Sequence, residues 1–110
     1  MSFDVSVTEG SADDIREILQ WIDDRSRPGA ISWLGEWRRL LHSIRARADH
    51  FGLAPESHDH PEPIRQALFK TRRGRSYRAL FVIRDINVFV LHVRGPGQDV
   101  LRSGEIRKPN

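Results

Sequence analysis

Residues 64–94 read IRQALFKTRRGRSYRALFVIRDINVFVLHVR and decide the fold class of this chain. The segment contains three short runs rich in apolar and β-branched residues, at 64–71, 77–83 and 88–93. The connections between them contain the Gly, Ser, Asp and Asn that tight turns favour. Because short connections join antiparallel neighbours, the segment predicts a three-stranded antiparallel meander.

The same segment is basic, and no acidic residue occurs in it before Asp85. Its basic residues up to that point are Arg65, Lys70, Arg72, Arg73, Arg75, Arg78 and Arg84. Charge of one sign on a rigid sheet repels itself, so this concentration predicts an anionic partner. All basic residues of the chain except Lys70 and Lys108 are Arg, whose planar fork suits phosphate and carboxylate. A genomic preference for Arg would give the same composition.

Length and composition restrict the class of protein. A chain of 110 residues predicts one domain, 1–110, in which 94–110 is an extended tail that crosses the surface and frays. The chain has no Cys, no apolar run of the ~20 residues that a membrane span needs, and no secretory signal at its N-terminus. We therefore expect a cytoplasmic protein with no membrane partner. The chain also lacks a Gly-rich phosphate loop, so no nucleotide cofactor is expected.

The first half of the chain predicts one strand and two helices. Residues 3–7 alternate apolar and polar side chains, as a half-buried strand does. Ser11 suits the N-cap of a first helix, and a second helix is expected over 32–49. We expect the three Trp residues, Trp21, Trp33 and Trp37, to pack in the core.

The Pro-rich segment 51–63 predicts a loop. It contains His58-Asp59-His60, for which solvated side chains are favoured over a metal site, so no metal is expected.

The element order predicts an α+β fold of the form β-α-α-β-β-β. A helical hairpin would cover one face of a four-stranded antiparallel sheet, which includes the first strand. The other face would be open and would carry part of the basic set. Period-two alternation then predicts that Arg78, His92 and Arg94 converge on this open face.

Three motifs resemble the RelE/ParE superfamily, the toxins of bacterial type II toxin–antitoxin modules. They are Ile64-Arg65, then Gly74-x-x-Tyr77-Arg78-Ala79-Leu80-Phe81, then Val88-Phe89-Val90-Leu91-His92-Val93. The family's pattern has a Tyr-Arg pair at the start of its third strand and an apolar fourth strand after a short turn. The similarity covers residues 3–94 and implies a RelE/ParE-like fold with a growth-inhibiting function, as in plasmid stabilisation.

The resemblance implies two alternative mechanisms. RelE-type members cleave mRNA in the ribosomal A site with a basic cluster and often a C-terminal Tyr or His, whereas ParE-type members inhibit DNA gyrase and lack that cluster. Here no Tyr follows Tyr77 and no His follows His92. The absence of a C-terminal Tyr or His favours a ParE-like inhibitor of gyrase. A RelE-like endonuclease and an inactive binding relic remain the alternatives, and whether the chain is an enzyme stays open.

Candidate site residues follow from these alternatives. Arg78 and His92 are the catalytic candidates: Arg78 would offset phosphate charge and His92 would act as an acid or base. The other interpretation makes Arg78 a structural Arg that pairs with a carboxylate of the helical layer, and His92 a partly buried strand residue with a satisfied hydrogen bond. The surface expected to bind the target, or an antitoxin with an acidic disordered segment, consists of Arg65, Lys70, Arg72, Arg73, Arg75, Arg78 and Arg94.

Overall fold

A computed structural model describes residues 2–109, and within this range the chain forms two α-helices and one four-stranded sheet. The strands are β1 (Asp4–Val7), β2 (Arg65–Phe69), β3 (Tyr77–Arg84) and β4 (Asn87–Arg94). The helices are α1 (Glu9–Asp23) and α2 (Arg27–Arg47). The prediction of an α+β fold with the order β-α-α-β-β-β is confirmed.

The sheet is mixed, so the expectation of an all-antiparallel sheet is wrong. Its strand order is β1-β4-β3-β2. Strands β2, β3 and β4 are consecutive antiparallel neighbours, but β1 joins β4 in parallel, with Val5 opposite Val88. The alternation at residues 3–7 predicts that a strand forms there. It carries no information about the direction of the strand's neighbour, which the chain's path through both helices decides.

Both helices begin earlier than the sequence predicts, because other hydroxyl side chains cap them. The Thr8 side chain accepts a hydrogen bond from the Ser11 backbone N–H and caps α1, while the buried Ser11 hydroxyl donates to the Thr8 carbonyl at 3.0 Å. Ser26 caps α2 by accepting from Gly29 N–H at 3.0 Å. Pro28 lies in the first turn, where its missing N–H does no harm. The second helix therefore starts at Arg27 rather than at residue 32.

The main core lies between the helices and one face of the sheet. The α2 residues Trp33, Trp37, Leu40 and Ile44 are buried there at helical spacing. They pack against strand residues that include Phe81, Val88 and Val90. The predicted packing of Trp33 and Trp37 is confirmed, since only 1% and 4% of their surfaces are exposed.

The second face of the sheet is covered, so the prediction of an open face is wrong. Leu80, Val82 and Leu91 point to this face and form a second buried cluster. Ala54 from the Pro-rich loop and Ile64, just before β2, cover one part of it, and Leu101 and Ile106 from the tail cover the rest. We expected the tail to fray, but it packs on the sheet. The tail is held there because it removes the apolar side chains of this face from water.

Within residues 2–109, neither helix combines the length and the apolar character that crossing a bilayer requires.

Candidate functional site

The Arg78 side chain is held by a buried carboxylate from the Pro-rich loop. Its two terminal nitrogens donate to the Glu56 carboxylate oxygens at 2.7 and 2.6 Å. Glu56 is 2% exposed and accepts a third hydrogen bond from the Leu101 backbone N–H at 3.0 Å. One carboxylate thus ties together the loop, strand β3 and the tail. The partner is a loop residue rather than a residue of the helices.

The Glu56 carboxylate is ionised in this arrangement. Burial by itself raises the pKa of Glu56, but hydrogen bonds from Arg78 and from the Leu101 N–H outweigh it and hold the pKa below its ordinary value of 4.5. The sequence gives no signal for this role, since Glu56 lies in a loop without periodicity, 22 residues before Arg78.

The His92 ring is also fully engaged. Its Nδ1 lies 2.8 Å from the Asp14 Oδ2 of α1, and its Nε2 accepts from the Arg107 backbone N–H at 3.1 Å. Since Nε2 accepts, the proton of the neutral ring lies on Nδ1 and is donated to Asp14. Asp14 also accepts from the Val93 N–H at 3.0 Å. His92 is 6% exposed, and its two ring nitrogens connect α1 to the tail.

Arg78, His92 and Arg94 lie on one face of the sheet, as predicted, but that face is covered by the loop and the tail, so the prediction that it is open is wrong. The pairing of β3 with β4 shifts between Leu80, which is opposite His92, and Phe81, which is opposite Val90. Leu91, the extra residue of this β-bulge, interrupts the period-two alternation, so Val90 lies on the helical face while His92 and Arg94 lie on the face of Leu80 and Arg78.

The residues predicted to bind a partner fall into two groups. Arg65 donates to the Phe51 carbonyl at 2.5 Å, Arg78 to Glu56, and Arg94 to the Asp99 carbonyl at 2.8 Å. Arg84, outside the predicted set, pairs with Glu62 at 2.6 Å. These side chains hold the loop and the tail in place.

The second group is the basic loop, which we define as Lys70, Arg72, Arg73 and Arg75 in the β2–β3 connection. All four are exposed, and none has an ion-pair partner within the described part of the chain. The loop is closed by a hydrogen bond from Gly74 N–H to the Thr71 carbonyl at 3.1 Å. A Cβ atom at Gly74 would lie 2.3 Å from Thr71 Oγ1, so any larger residue here would force the Thr71 side chain to rotate away.

Trp21 departs from the packing prediction, since 56% of its surface is exposed. The Arg25 guanidinium carbon lies 3.8 Å from the centre of its ring. The sequence contained a signal for this exposure. The apolar positions of α1, at Ile15, Ile18 and Ile22, define a stripe from which Trp21 is rotated by about 100°.

The described residues contain no group of side chains that could bind a metal ion. Among residues 2–109, no three His, Cys, Asp or Glu side chains are grouped so that they could hold a metal ion. His60, from the segment considered for metal binding, accepts a hydrogen bond at Nδ1 from the Glu62 N–H at 3.2 Å.

Comparisons with protein-family models, curated proteins and solved structures gave no match for this chain. Its interpretation therefore depends on its own motifs and on the geometry described above.

Proposed function

We propose that this chain is the toxin of a type II toxin–antitoxin module, a ParE-like growth inhibitor that acts on DNA gyrase by binding. The proposal starts from the resemblance of the Tyr77-Arg78 and 88–93 motifs to the RelE/ParE superfamily. It is supported by the position of Tyr77 as the first residue of β3 and by the extent of β4 over the second motif.

One observation favours binding over mRNA cleavage. Arg78 and His92, the two catalytic candidates, are both engaged inside the fold, by Glu56 and by Asp14 with the Arg107 N–H. Cleavage needs a charged group free to meet a phosphate and a titrating group free to exchange a proton with the substrate. Such roles would first require these hydrogen bonds to break.

The partner that would control the toxin is an antitoxin with an acidic disordered segment. The basic loop offers four exposed cations without internal partners, and an acidic segment would neutralise them on folding across this end of the sheet. We place both proteins in the bacterial cytoplasm, where gyrase acts.

The test is brief expression of the chain alone in a bacterial host. We expect gyrase-trapped DNA breaks with intact mRNA.

Replacing Arg72, Arg73 and Arg75 by Ala should weaken antitoxin binding at least tenfold, since several charge contacts are lost together. The matched control removes the same charge from α2, at Arg38, Arg45 and Arg47, which are also exposed.

Two results would contradict the proposal. Translation-dependent mRNA cuts that His92→Gln abolishes in a folded protein would favour the RelE-like endonuclease. A normal growth rate with neither lesion would favour the inactive binding relic.

A further inference from the structure

A cleft of about 610 Å³ lies at the end of the sheet beside the basic loop. Its walls come from both helices, the β2–β3 connection and the chain after β4. Its aromatic wall contains Trp21, Trp33 and Tyr77, and its basic wall contains Arg73 and Arg75. A cavity of about 300–1,000 Å³ is the usual size for a site that takes a small ligand.

A second cavity of about 380 Å³ adjoins the cleft. Trp21, Tyr77 and Pro96 line both cavities. The lining of the second cavity includes Glu17 and no basic residue, so the cationic wall belongs to the larger cavity.

Trp21 is the exposed part of the aromatic wall, and since the Arg25 guanidinium covers one face of its ring at 3.8 Å, a base would stack on the other face. Trp21 is 56% exposed, although a Trp ring is stabilised strongly by burial. Trp33 is 1% exposed, and its indole Nε1–H is a buried donor with no hydrogen-bond acceptor within residues 2–109.

The basic wall presents two guanidinium groups with no internal partner. Arg73 and Arg75 are exposed and form no ion pair with any described residue. The loop that holds them is closed by the Gly74 hydrogen bond described above, so the two side chains flank a fixed turn. Guanidinium groups bind phosphate through two parallel hydrogen bonds.

We propose that this cleft binds a nucleotide unit, with the base against Trp21 and Tyr77 and the phosphate on Arg73 and Arg75. Aromatic rings beside unpaired arginines are the combination that holds nucleotides without reading their sequence. A purely acidic peptide would use the two cations but would leave the aromatic wall uncovered. The ligand chemistry is the same for a free nucleoside phosphate and for a single-stranded nucleic acid. The site is separate from Arg78 and His92, but it shares Arg73 and Arg75 with the surface proposed for the antitoxin, so a nucleotide and the acidic segment would compete there.

The test measures binding of a fluorescein-labelled decauridylate to the full chain by fluorescence anisotropy. Loss of one stacked base costs about 1–3 kcal/mol, so Trp21→Ala should raise Kd on the order of tenfold, while Trp21→Phe should retain most of the affinity. The double variant Arg73→Ala/Arg75→Ala should reduce the dependence of log K on log salt by roughly 0.7 per lost phosphate contact. Unlabelled AMP identifies the source: competition by AMP indicates a free nucleotide, and competition only by unlabelled strand indicates a single strand.

The controls change equivalent surface elsewhere. Ile86→Ala removes an exposed apolar side chain at the β3–β4 turn, the opposite end of β3 from the cleft. Arg45→Ala/Arg47→Ala removes two charges from α2. Both variants should leave the affinity for the strand within about twofold at moderate salt, since none of the three residues lines the cleft. The proposal fails if no probe binds or if Trp21→Ala binds like the wild type. Polyglutamate of equal charge should displace the strand more weakly than unlabelled decauridylate does, since it can meet Arg73 and Arg75 but not the aromatic wall. Equal displacement would overturn this proposal and assign the cleft to the acidic segment proposed for the antitoxin.

Discussion

At the scale of single residues, the buried Glu56 carboxylate joins the loop, β3 and the tail. Its carboxylate receives two hydrogen bonds from Arg78 and one from the Leu101 N–H. The Arg78 side chain is 17% exposed, so its charge is largely removed from water as well. Removing one partner of such a pair leaves the other charge buried without compensation.

This pair predicts a loss of stability in acid. The pKa of Glu56 lies below its ordinary value of 4.5, so its stabilisation is fully present above about pH 4.5 and is lost as the pH falls through the lower folded-state pKa. Glu56→Gln should lower the free energy of unfolding by roughly 3 kcal/mol at neutral pH and should make its dependence on pH below about 4.5 shallower. Urea denaturation followed by circular dichroism at several pH values measures both effects.

Asp59→Asn is the matched control, because Asp59 is an exposed acid of the same loop. Its free energy of unfolding should change by no more than about 0.5 kcal/mol. If Glu56→Gln behaves like Asp59→Asn, the buried pair contributes nothing to stability.

At the scale of elements, the start of α1 is fixed against β4 around the bulge. Thr8 donates to the Val90 carbonyl with its hydroxyl at 2.7 Å and with its N–H at 3.2 Å. A Cβ atom on Gly10 would lie 2.9 Å from the Leu91 carbonyl oxygen, so helix and strand are in contact through backbone. This close approach brings Asp14 within hydrogen-bond distance of His92.

The contact predicts opposite effects for two Gly→Ala substitutions in helices. Gly35 of α2 is exposed, and a Cβ atom added to it would meet no other atom within 4 Å, so Gly35→Ala should stabilise by about 0.5–1 kcal/mol. Gly10→Ala should destabilise by about 1–3 kcal/mol, because helix and strand must move apart. Urea denaturation of both variants tests the prediction. If Gly10→Ala raises the free energy of unfolding, the Leu91 backbone can move away from the added methyl group at little cost.

At the scale of the whole molecule, both faces of the sheet are buried, but different kinds of structure cover them. The helical hairpin covers one face, and the Pro-rich loop with the tail covers the other. Leu101 and Ile106 supply the tail's part of this cover, while the Leu101 and Arg107 N–H groups bond to Glu56 and His92. The tail is thus part of the fold and not an appendage to it.

Truncation tests this role of the tail. A chain that ends at Gln98 loses Leu101 and Ile106, and burial of two such side chains is worth about 3–6 kcal/mol. That range overlaps the whole stability of a small domain, so the truncated chain should unfold at much lower urea concentration and bind an apolar-surface dye such as ANS. A chain that ends at Arg107 keeps these contacts and should match the wild type. Equal stability of the two truncated chains would mean that the tail covers the sheet without stabilising it.

The sequence by itself determined the features that depend on local pattern. The apolar runs and turn residues of 64–94 predicted β2, β3 and β4, and helical spacing predicted the buried side of α2, with Trp33 and Trp37 in the core. The same spacing places Trp21 off the apolar stripe of α1, so its exposure could also have been predicted. The exposed basic loop was predictable from its charge and its Gly, because both are properties of neighbouring residues.

Only the tertiary structure decided which distant segments meet. Arg78 finds its carboxylate 22 residues away and His92 finds Asp14 78 residues away. The extra residue at the bulge and the parallel pairing of β1 have no local signature. Whether Arg78 and His92 face a ligand or a structural partner therefore could not be determined from periodicity. The physical reason is that local pattern specifies which side chains avoid water, whereas the pairing of polar groups depends on how the loop, the tail and α1 close over the sheet.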